Sequence, residues 1–166
     1  MATCAERIQD YMASAMQDIN EIVDHADDDD YKKYEDLYDN YMEGVLNIQA
    51  PAWNVEDVNF HTVFIVQVQL SWGGPADGFI VELDSDRNII GVRYYFQDWF
   101  DYAEQDLSWN EQENFDAVWG EILGNYAYSN IDKLLDYMQE LKDSNVDNEA
   151  DDEDDYTWED EGDEDE

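Results

Sequence analysis

Forty-five of the 166 residues are Asp or Glu and only seven are Lys or Arg, a formal net charge of -38 at pH 7. Any fold of this chain has to hold that charge against its own repulsion. High net charge with low hydrophobicity is the signature of disorder, but the chain meets only the first condition. It is 43% hydrophobic and 14% aromatic, with six Trp, twelve Tyr and six Phe. Aromatic side chains bury roughly 150–250 Å² each, so a core is within reach, and the length suits one domain. Nothing in folding calls for the charge itself. The simplest functional account is a strongly positive partner, such as a nucleic-acid-binding site, whereas nucleic acid and anionic membranes would repel the chain. The longest strongly apolar stretch, residues 63–68, is far short of the ~20 residues of a membrane helix. Cys4 is the only cysteine, which rules out an intramolecular disulfide. The N-terminal residues contain no basic segment followed by an apolar run, so a cytoplasmic location is expected.

Thr3-Cys4-Ala5-Glu6 forms a capping-box pattern, and Ile8, Met12, Ala15, Ile19 and Ile22 follow it at helical spacing. Residues 27–30 break the pattern. Tyr31, Tyr34, Tyr38, Tyr41 and Val45 then form the stripe of a second helix. Past Pro51, residues 58–70 are β-rich, and Phe64/Val66/Val68/Leu70 alternate with Ile65/Gln67/Gln69, which predicts a strand with one more polar face. Trp72-Gly73-Gly74-Pro75 is a turn, 79–83 a second strand, 84–88 a hairpin loop and 89–96 a third strand with Gly91 as a bulge. Residues 97–103 are predicted to leave the sheet into a short helix capped by Asp98. Ser108-Trp109-Asn110-Glu111 is another capping box, followed by Phe115, Val118, Trp119, Ile122 and Leu123. Gly124 and Asn125 punctuate before a last amphipathic helix through Ile131, Leu134, Leu135, Met138 and Leu141. The predicted fold is α+β, in the order α-α-β-β-β-α-α, with a three-stranded antiparallel meander and helices packed around it.

Residues 143–166 contain fifteen acids and no base, which predicts a disordered acidic tail after a folded domain of residues 1–142. Those fifteen acids leave -23 of the -38 on the folded part. The tail alone does not explain the composition.

Carboxylates are plentiful enough that acid–base chemistry has to be weighed. Asp98 and Asp101, beside Trp99 and Phe100, are the best-placed pair, but helix capping accounts for both more simply. His25 and His61 sit in no motif, and Cys4 has no visible catalytic partner. Asp84-Ser85-Asp86-Arg87-Asn88 begins like a calcium loop, yet Ile89 stands where the loop needs Gly and Tyr95 where it needs Glu. Gly73-Gly74-Pro75 has no basic helix behind it and serves as a turn. No enzyme activity, metal or cofactor is expected.

The acidic surface is the stronger candidate. Carboxylates at i, i+3 and i+4 of a helix lie roughly 5–6 Å apart, close to the repeat of phosphates along a strand. The residues expected to meet a partner are Asp18, Glu21 and Asp24; Asp28 and Asp29; Glu35, Asp36, Asp39 and Glu43; Glu113 and Asp116; and Asp132 and Asp136. Solvated faces normally mix both signs, and these helices carry few Lys or Arg. The regular spacing of Tyr31, Tyr34, Tyr38 and Tyr41 favours core packing over stacking with a partner. Tyr156 and Trp158 lie inside the tail, an arrangement suited to a segment that folds on binding.

Small size, extreme acidity, an acidic helical shell and an acidic tail resemble the DNA-mimic anti-defence proteins of phages and mobile elements, a class that includes anti-restriction and anti-CRISPR proteins. Trp72-Gly73-Gly74-Pro75-Ala76-Asp77-Gly78-Phe79 with Tyr95-Phe96-Gln97-Asp98-Trp99-Phe100-Asp101 is also similar to a segment of small uncharacterised phage proteins. The class resemblance implies a non-enzymatic inhibitor that occupies the nucleic-acid site of a basic host protein, such as a CRISPR effector or restriction enzyme. An acidic chaperone or adaptor that shields a basic nucleic-acid-binding protein is the alternative. A two-fold homodimer would lengthen any mimicked duplex.

Overall fold

The computed structural model describes residues 1–27 and 29–150, with side chains described as far as residue 146. The elements are α1 (Cys4–Asp24), α2 (Tyr31–Gly44), β1 (Asn47–Gln49), β2 (Phe64–Ser71), β3 (Ala76–Leu83), β4 (Ile89–Asp98), β5 (Asp101–Asp106), α3 (Trp109–Ser129) and α4 (Ile131–Ala150). The α+β class holds. The three-stranded meander is corrected to a five-stranded antiparallel sheet in the order β1-β2-β3-β4-β5.

Both capping boxes form, Thr3 with Glu6 and Ser108 with Glu111, because each is a local exchange of side-chain and backbone hydrogen bonds. On α1 the buried stripe is Cys4, Ile8, Met12, Met16, Ile19 and Ile22. It packs on the sheet face formed by Phe64, Val66, Val68, Phe79, Val81, Leu83, Val92, Tyr94 and Phe96, together with Phe115, Val118, Trp119 and Leu123 of α3. The outer helix, α2, has no buried residue. Tyr34, Leu37, Tyr38, Tyr41 and Met42 are half-buried against the same core, while Tyr31 is exposed. Gly124 and Asn125 do not interrupt α3, whose ladder runs through them to Ser129.

On the opposite face Ile65, Ile80 and Tyr95 meet Tyr137, Met138 and Leu141 of α4 and Val55 of the segment between β1 and β2. The polar half of the β2 alternation is therefore covered. Gln67 donates to Tyr95 Oη at 2.9 Å and accepts from Gln49 Nε2 and the Ala52 amide, each at 3.2 Å. Residues 58–63, predicted as strand, cross this face as a loop pinned by Glu82, whose Oε1 accepts from the Asn59 amide and Thr62 Oγ1 at 2.7 Å each.

Two further corrections concern chain direction. The predicted short helix after Asp98 is a hairpin: Asp98 pairs with Asp101, and Trp99 and Phe100 form its two-residue tip. The predicted boundary at residue 142 falls inside α4, which continues to Ala150. Residues 151–166 lie outside the described residues. The expected bulge lies next to Gly91: Glu82 opposes Gly91 while Leu83 opposes Ile89, which leaves Ile90 as the extra residue.

Candidate acidic interface

Asp18, Glu21 and Asp24 lie on α1, Asp29 just before α2, Glu35, Asp36, Asp39 and Glu43 on α2, and Glu113 and Asp116 on α3. All are exposed. The helical phase that buries Ile8, Met12, Ile19 and Ile22 turns the α1 acids outward, so their exposure follows from the apolar stripe. Since α1, α2 and α3 share one side of the sheet, this layer gathers ten of the thirteen candidate acids. Asp132 and Asp136, also exposed, lie on α4, which reaches the same core through Leu134 and covers the opposite face of the sheet with Tyr137, Met138 and Leu141. Asp28, Tyr156 and Trp158 lie outside the described residues.

Among the described residues the ion pairs do not involve these acids. Arg7 pairs with Asp98, and Arg93 with Glu104 at 3.1 Å and Glu82 at 3.9 Å. Asp116 folds back over Gly120, one turn on, and this desolvation raises its carboxyl pKa. A folded value above the unfolded one means that the ionised group opposes folding, an opposition that eases as pH falls through the folded value.

The Asp98/Asp101 pair has structural partners. Asp98 takes the Arg7 guanidinium, and Asp101 Oδ2 accepts the Cys4 amide at 2.5 Å. That backbone hydrogen bond is the main cause holding the Asp101 carboxyl below its usual range, while burial raises the Cys4 thiol. The contribution of Asp101 is present above its unfolded pKa and is lost as pH falls through the folded one. Both residues bind the start of α1 to the β4–β5 hairpin. In the 84–88 loop, Asp84 Oδ1 accepts from the amides of Asp86 and Asn88 at 2.9 Å each, as a turn requires. No group of three or more potential metal ligands occurs among the described residues, and no described helix is long and apolar enough to cross a membrane.

Two features escaped the sequence reading. One is the buried Arg93 with its carboxylates. The other is a set of nearly fully exposed aromatics, Trp72, Trp99 and Phe100, whose signal was aromatic residues standing where turn residues belong.

Exposed carboxylates at helical spacing repel one another over a Debye length, which falls from about 30 Å at 0.01 M salt to about 3 Å at 1 M. Raising NaCl across that range is expected to increase the thermal midpoint of the full chain by about 4–8 °C, the shift that roughly 2 kcal/mol gives at this size. A flat or falling midpoint would show that the acids are too far apart to repel.

Comparison with protein-family models, with curated proteins and with solved structures finds no match.

Proposed function

We propose that this chain is a non-enzymatic inhibitor that occupies the nucleic-acid groove of a basic host defence protein, such as a restriction enzyme or CRISPR effector, by presenting carboxylates in place of phosphates. The observation that carries the reading is the layer of α1, α2 and α3, where ten exposed acids lie on one side of the sheet without an ion-pair partner among the described residues. The charge density supports it. Duplex DNA carries one charge per about 1.7 Å, so the -23 of residues 1–142 equals that of about 40 Å of duplex. The 21-residue α1 and α3 are each about 31 Å long. A body of these dimensions offers a DNA-binding groove a duplex-like field and steers encounter strongly at low salt.

Binding then rests on many acids at once, so single substitutions cost little. Replacing Glu35, Asp36, Asp39 and Glu43 together by lysine is expected to weaken binding to a host partner at least about 100-fold at low salt, while the wild-type chain competes with DNA for that partner. Full affinity of the fourfold variant would refute phosphate mimicry. Capture of many basic proteins without DNA competition would instead mark an acidic chaperone.

A further inference from the structure

We infer that the end of the sheet bearing Trp72, Trp99 and Phe100 is the anchoring contact of this protein, and that it receives arginine side chains of a basic protein partner. The inference rests on the partner being basic, as in the reading above, but assigns the holding contact to a surface outside the acidic helices.

Ala76 of β3 pairs with Gln97 of β4, so the β2–β3 turn and the β4–β5 tip emerge side by side. Trp72 and Trp99, each 81% exposed, line one shallow cavity of about 240 Å³ with Gly73, Gly74 and Gln97. A methyl group in place of the Gly74 hydrogen would sit 3.8 Å from Trp99 Nε1, so the indole lies beside a residue that offers it no side chain. Phe100, fully exposed, stands next to them.

These rings contribute little to the fold, and one of them works against it. Trp99 has φ 56°, a left-handed conformation that the tips of two-residue hairpins usually give to Asn or Gly. A bulky aromatic there is unfavourable, and here it is held by Asp98 on Arg7 and Asp101 on the Cys4 amide. Local strain kept in place by surrounding contacts is a feature of binding sites.

Charge selects the occupant. A net charge of -38 disfavours a nucleic acid, an anionic membrane or a second copy of the chain. The planar guanidinium of arginine stacks on indole faces better than the compact, strongly hydrated ammonium of lysine. The chain already uses such contacts internally: the Arg7 guanidinium lies 5.0 Å from the Phe96 ring centre, and that of Arg87 lies 5.1 Å from the Tyr128 ring centre. Acidic helices then govern encounter, and the aromatic end governs residence.

The probes are nona-arginine and nona-lysine peptides titrated into the full chain by calorimetry, with the indole N–H signals followed by NMR. The arginine peptide is expected to bind about tenfold tighter than the lysine peptide, as two exposed cation–π contacts allow, and to shift the Trp72 and Trp99 indole signals. In W72A/W99A the preference should fall to about twofold or less. Trp99→Gly suits the left-handed tip, so it should keep or raise the thermal midpoint while reducing the preference. The inference is overturned if the preference persists in W72A/W99A, if the two indoles do not move, or if the patch instead drives self-association or binding to phosphatidylcholine vesicles. The fourfold α2 lysine variant should weaken both peptides equally and keep the arginine preference. Unchanged binding there would count against the acidic-helix reading alone.

Discussion

Replacing Arg93 by methionine is expected to remove about 3–5 kcal/mol of stability at pH 7, the usual result of deleting one partner of a buried charge cluster. Arg93 is 8% exposed on β4. Its Nη1 donates to the Glu56 carbonyl at 2.9 Å and to Glu104 Oε2 at 3.1 Å, and its Nη2 lies 3.9 Å from Glu82 Oε2. Without the guanidinium, the buried Glu82 loses its counter-charge, with the exposed Glu104 beside it and Asp106 opposite position 93 in the register. Loss of the Glu56 contact also frees the loop that Glu82 pins through Asn59 and Thr62. Urea melts of the variant and the wild-type chain at pH 7 measure the deficit. Adding Glu82→Gln, which removes one charge yet still accepts both loop hydrogen bonds, should restore part of the loss. A deficit below about 1 kcal/mol at pH 7 would mean that α4 alone holds this face together.

The Arg93 cluster also shows why part of the fold was hidden in the sequence. Helices α1 and α3 were legible because their signals are local: a capping box, then apolar residues at helical spacing. The polar alternation of β2 was read correctly as an alternation, but its polar side was not predicted to be covered. Gln67, Glu82 and Arg93 are buried because the segment between β1 and β2 and α4 return over them, a long-range event with no local mark. The β4–β5 hairpin was missed for the same reason. Its tip lacks the expected turn residues and β5 lacks a β-rich pattern, while its hydrogen bonds to α1 join residues 91 and 97 positions apart. In the candidate interface, the exposure of each acid followed from helical phase. Which helices share a side of the sheet did not, and α4 runs from the first core at Leu134 to the opposite face at Tyr137, Met138 and Leu141.

Trp119→Ala is expected to cost about 3–5 kcal/mol, as large aromatic truncations in cores do. The consequence for α2 should be greater than for the rest of the molecule. Trp119 is fully buried on α3, with Phe115 beside it and Tyr41 edge-on at 6.0 Å between ring centres. Its Nε1 donates to Tyr41 Oη at 3.1 Å, and Tyr41, whose pKa burial pushes well up, is one of five half-buried residues by which α2 meets the core. A helix with no fully buried residue has little else to hold it, and its exposed face carries Glu35, Asp36, Asp39 and Glu43, whose mutual repulsion favours release. Trp119→Phe is the sharper test. It keeps most of the buried ring and removes the hydrogen bond, so global stability should fall by only about 1–2 kcal/mol. Hydrogen-exchange protection should drop across Tyr31–Gly44 well before it drops in β3 and β4, showing α2 as a separately opening unit. If phosphate mimicry needs these four acids fixed in space, the same variant should bind a basic partner more weakly without any change of charge. Uniform loss of protection across α2 and the sheet would instead place α2 within a single cooperative core.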